Sequence, residues 1–149
     1  MRLWIVGIVA FLSGVAAPLS AASAKIIKVL PHYLDQQGRQ SISPSLYDRD
    51  AYQAQLRKNP KLRSGLRFDV QWRSADKAPL KLRVEMRGSK GKELTQAVVE
   101  QTVGQTGFSK WIGLTFSGEE YQKFGELAAW RATLWDGGKL ISEEKSFLW

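Results

Sequence analysis

The chain has 149 residues and a formal charge of +8, with no cysteine. The missing cysteine excludes disulfides, thiolate metal sites and the lipid-modified cysteine of a diacylated lipoprotein. One domain held by its apolar core alone is therefore expected.

Arg2 gives a short positive start, Leu3 to Ala17 is uncharged and mostly apolar, and Pro18 breaks the run. Ala22-Ser23-Ala24 then fits the small-residue pattern of signal-peptidase cleavage. Residues 1–24 read as a signal peptide and 25–149 as one mature domain, exported to the periplasm or the extracellular space. No later run is apolar and long enough to span a membrane as a helix.

Charge is uneven along the mature chain. Lys25 to Lys90 carries 15 basic and 6 acidic residues, a net +9. Gly91 to Trp149 carries 6 basic and 8 acidic, a net −2. Such asymmetry points the first half at anions.

Lys25 to Leu30 reads as a strand, and Pro31 assigns it to a sheet edge. Gln37-Gly38 reads as a turn. Ser43-Pro44 opens a helical segment, Asp48 and Asp50 are further cap candidates, and Tyr52 and Leu56 share a face. Asn59-Pro60 ends it, so the spacing predicts one short helix near residues 47–58. Leu66, Phe68, Val70 and Trp72 alternate with Arg67, Asp69, Gln71 and Arg73; Leu80 to Arg87 repeats the pattern. Alternation of this kind marks strands with one apolar and one wet face. The polar Ser74 to Pro79 is expected to close them as a hairpin.

Weaker strands follow at Leu94 to Val103, Phe108 to Phe116 and Leu127 to Trp135. Ser117 and Glu120 have capping-box spacing before a short helical turn that Gly125 closes. Gly137-Gly138 suits a two-residue turn. That register sets Trp135 opposite Leu140, Thr133 opposite Ser142 and Arg131 opposite Glu144, and it places Lys145 awkwardly across from Trp130.

About seven short strands with one helix give an all-β class, an antiparallel β-sandwich. Leu114, Gly118 and Tyr121 resemble the leucine, turn and tyrosine stretch before the sixth strand of fibronectin type III and related immunoglobulin-like domains, with Ser117 where proline is common. The resemblance implies an immunoglobulin-like sandwich and leaves function open.

Catalytic chemistry has little to stand on. His32 is the single histidine, and nucleophile-elbow, phosphate-loop and zinc motifs are missing. Asp48-Arg49-Asp50 admits a metal pair, but helix capping explains both carboxylates. No cofactor and no metal is expected. Arg57, Lys58, Lys61, Arg63 and Arg67 form a basic run without an intervening acid, a candidate surface for envelope polyanions such as phosphorylated lipid or glycan headgroups. Nucleic acid would require a target outside the cell. Trp135 and Trp149 are candidate stacking platforms, while Trp72 and Trp130 read as core. The sequence points to a non-catalytic envelope binding or adaptor module, contacting a polyanion or another envelope protein, with the sheet edge open to an added strand. A small outer-membrane barrel lined by the alternating charges is the second reading, and a hydrolase the third.

Overall fold

A computed structural model describes residues 23–149. The signal peptide expected at 1–24 therefore lies outside the described residues, apart from Ser23 and Ala24. Among the described residues no helix is long and apolar enough to cross a membrane.

Seven strands form an antiparallel β-sandwich: β1 (Ala24–Asp35), β2 (Arg63–Ser74), β3 (Leu80–Lys90), β4 (Glu93–Val103), β5 (Lys110–Ser117), β6 (Glu126–Asp136) and β7 (Lys139–Lys145). A three-stranded sheet runs β1-β2-β5, and a four-stranded sheet runs β4-β3-β6-β7. The alternation in β2 and β3 sends Leu66, Phe68, Val70 and Trp72 from one sheet against Leu80, Leu82, Val84 and Met86 from the other. Phe68 and Trp130 meet edge to face, with centroids 6.4 Å apart.

This pairing overturns the hairpin expected over Ser74 to Pro79. That segment crosses from one sheet to the other, and β2 pairs with β1 and β5 instead. The polar faces of β2 and β3 consequently point outward on opposite sides of the molecule. The interior between them is filled with side chains, so these charges line no lumen as the barrel reading required.

α1 (Leu46–Lys58) matches the expected helix. Its cap is Ser45, whose Oγ accepts from the Asp48 backbone N–H, rather than Ser43, Asp48 or Asp50. α2 (Glu119–Phe124) carries the chain from β5 to β6. Its cap residue is Gly118, without a side-chain bond, so the box expected from Ser117 and Glu120 is not formed. Gly125 closes α2 at φ 83°, as its position suggested.

Trp135 does face Leu140, but the register then shifts. Thr133 lies opposite Glu143, and Arg131 lies opposite Lys145. The irregularity adds one residue to β7 and turns Lys145 away from Trp130 onto the outer face, removing the buried-charge conflict of an unbroken hairpin. Arg131 still gains a carboxylate, with its Nε 2.6 Å from Glu143.

β1 is an edge strand, as Pro31 implied, yet its edge is covered. The Gln53 amide of α1 accepts from the Tyr33 N–H at 2.8 Å and donates to the Tyr33 carbonyl at 2.9 Å, standing in for a neighbouring strand. Farther down, Ser142 of β7 accepts from the Ile26 N–H. This edge is thus closed to an added strand at both points.

Candidate ligand site on the three-stranded sheet

The five residues of the basic run are scattered by the fold. Arg63 is 4% exposed. It donates to the carbonyls of Leu56 and Arg57, grips Glu126 with one nitrogen 2.8 Å from both carboxylate oxygens, and lies 4.1 Å over the Tyr33 ring. Each of its three guanidinium nitrogens has a partner within the protein, so it is unavailable to an outside anion. Arg57, Lys58 and Lys61 are exposed at and beyond the C-terminus of α1, where cations complement the helix dipole. Arg57 also borders a hollow beside Tyr33 and Gln53.

The two tryptophans sit on the opposite, four-stranded sheet. Trp135 donates its indole N–H to Thr133 Oγ1, with Arg83 stacked 5.4 Å from the ring centre. Trp149 carries Arg87 on its face at 3.9 Å. One face of each ring is occupied from within. The charges around them are paired too: Arg83 and Lys81 with Glu100, Arg131 with Glu85 and Glu143.

Arg67 leads to a different cluster. It projects from the outer face of the three-stranded sheet, where register sets His32, Arg67 and Thr115 in one row. Leu30, Asp69 and Gly113 form the next row, and Lys28, Gln71 and Trp111 the one after. Asp69 is the centre. His32 Nδ1 lies 3.0 Å from one of its oxygens, and Arg67 Nε donates to the other at 2.8 Å. Burial pushes the Asp69 pKa up, but the bonds from His32 and Arg67 outweigh it and hold the carboxyl below its ordinary range. An ionised carboxylate only accepts, so His32 Nδ1 carries the proton of this bond. Gly113 leaves room for this arginine: a Cβ would lie 2.6 Å from the Arg67 guanidinium arching over it and would push that side chain aside.

α1 and the loop before it wall this floor. Leu30, His32, Gln40, Arg49, Asp69 and Trp111 line a hollow of about 200 Å³. Trp111 is 50% exposed. Gln40 Oε1 is buried and has no hydrogen-bond partner among the described residues, although the Gln40 carbonyl accepts from Gln53. An open aromatic face bordered by polar side chains suits a ligand with a flat apolar face and hydrogen-bonding groups at its rim.

A second hollow of about 440 Å³ continues along the same flank, with Ile27, Arg73, Thr106 and Phe108 among its lining. Gln71, in the Trp111 row, bonds Ser109 at its rim. Lys25, Lys28, Arg67 and Arg73 lie in the outward-facing rows of β1 and β2, so this sheet presents a cationic face interrupted by exposed Ile27, Phe108 and Trp111. No group of three or more potential metal ligands gathers among the described residues.

Sequence reasoning passed over Trp111, Gln40, Arg49 and Asp69 as site residues. A signal for Trp111 was present: it is out of phase with Leu114 and Phe116, the two core residues of β5. Gln40 lies in a loop with no period, and its partnership with β1 and β5 exists only in three dimensions. No family model matches the chain, and neither does any curated protein or solved structure.

Proposed function

We propose that the chain is an exported immunoglobulin-like binding module, without catalytic activity, whose ligand is an anionic envelope glycan held on the outer face of the three-stranded sheet. The observation that carries this reading is half-exposed Trp111 in a hollow that Gln40, Arg49, His32 and Asp69 wall with polar groups, on the sheet face that also bears Lys28, Arg67 and Arg73. A sugar ring supplies both complements: C–H groups for the indole face and hydroxyls for the polar side chains at the rim of the hollow. A phosphate or carboxylate on the glycan answers the flanking Lys28, Arg49 and Arg73. Relative to the sequence reading, the anion-binding surface moves from the α1 terminus to the sheet.

The strand order supports the immunoglobulin-like reading. Two hairpins, β3–β4 and β6–β7, and the helix-linked pair β1–β2 are joined with β5 by crossings between the sheets, and Tyr121 is buried in the crossing from β5 to β6, where immunoglobulin-like domains carry their corner tyrosine. Its hydroxyl adjoins the Arg63 side chain, a departure from the usual bond to backbone.

The test is retention on immobilised phosphorylated glycan from an envelope fraction, at low and high salt. Wild type is expected to be retained and to elute with salt. Trp111→Ala and Gln40→Leu are expected to lose retention with unchanged circular dichroism. Equal retention of both variants contradicts the assignment, and loss only on changing Arg57, Lys58 and Lys61 returns it to the helix end.

A further inference from the structure

Small residues at the end of the apolar leader allow several cleavage registers, two of which end in alanine. Ala22-Ser23-Ala24 directs the cut before Lys25, whereas Ser20-Ala21-Ala22 directs it before Ser23. The two differ by the dipeptide Ser23-Ala24, and the fold distinguishes them.

Ala24 is the first residue of β1, pairs with Ser74 and is 1% exposed in the main core. Ser23 is exposed, but it is bonded twice. Its carbonyl accepts from the Ala75 N–H at 2.8 Å, and its hydroxyl donates to Asp76 at 2.6 Å. A cut before Lys25 removes a core side chain, ends the β1–β2 ladder one pair early and leaves the Ala75 N–H without its acceptor. A cut before Ser23 leaves every one of these contacts in place.

We infer that the leader is removed at the Ala22–Ser23 bond and that the mature protein begins at Ser23. Water adds across the amide: the C–N bond breaks, Ala22 leaves with the new carboxylate, and Ser23 keeps the nitrogen as an ammonium. That ammonium arises on an exposed residue that lines the larger cationic hollow with Arg73 and Phe108, adding one positive charge to its rim. The inference rests on the export reading and sharpens it.

The full chain, expressed in a bacterial host and recovered from the exported fraction, is read by intact mass and N-terminal sequencing. A Ser23 start is the expected result. A Lys25 start overturns the inference and leaves export standing; a retained leader overturns both. Ser20→Trp provides a second reading, because position 20 is the outer small residue only in the register ending at Ala22. It is expected to block or redirect processing, and unchanged processing overturns the inference. Ala22 serves both registers, so its substitution does not separate them.

Discussion

Arg63 has the same sequence surroundings as Lys58 and Lys61 but opposite work. Two backbone carbonyls, Glu126 and the Tyr33 ring consume its guanidinium. Arg63→Met leaves those carbonyls without their donor, and about 2–3 kcal/mol of stability is expected to be lost in urea unfolding. Arg57, Lys58 and Lys61 changed together to Gln are expected to leave the fold intact and to cost less than Arg63→Met, since exposed charges contribute little beyond their helix-end term. A single acidified run that includes Arg63 would confuse unfolding with lost binding. Spacing along the chain cannot separate these residues. Whether an arginine points in or out depends on Glu126, 63 residues away.

At the scale of elements, alternation identified β2 and β3 and which of their faces is buried, and it left their partners open. A strand pattern holds no record of its neighbour, so the hairpin expected over Ser74 to Pro79 turned out to be a crossing between sheets. The helix was legible because Ser, Pro and Asn-Pro mark its ends locally. Its task was not: α1 lays Gln53 along the open edge of β1. Gln53→Ala strips that cover from Tyr33 and is expected to cost about 1–3 kcal/mol. Hydrogen exchange should accelerate at the Tyr33 amide more than at amides of β3 in the other sheet. Uniform acceleration would mean global destabilisation and would contradict a local edge cover.

Across the whole molecule the two sheets divide the charge by kind. The strands of the four-stranded sheet are balanced, with seven basic and seven acidic residues, while those of the three-stranded sheet carry six basic residues against two acidic ones, Asp35 and Asp69. The first-half excess of +9 was visible in the sequence, but its division between sheets required the topology. Two carboxylates tie this half to pH. Asp69 and Asp35 both sit below the ordinary carboxylate range: burial raises each, and stronger bonding lowers it, from His32 and Arg67 for Asp69 and from Tyr52 and Arg39 with nearby backbone for Asp35. A pKa lowered by folding stabilises the protein above the unfolded value, 3.8 for Asp, and that stability is lost as pH falls through the folded value. Asp35→Asn and Asp69→Asn are therefore expected to be less stable than wild type at neutral pH and to lose less stability on acidification. Parallel stability curves would show that neither carboxylate carries the linkage.

The proposed ligand lies on the outer face of the three-stranded sheet. This placement is tested most directly by mapping amide and indole NMR shifts while titrating the soluble phosphorylated glycan into the protein, with inorganic phosphate as a separate titration. The glycan is expected to shift Leu30, Gln40, Asp69 and the Trp111 indole, and phosphate alone to leave Trp111 unmoved. Shifts confined to Arg57, Lys58 and Lys61, or clustered at Trp135 and Trp149 on the other sheet, would contradict that placement.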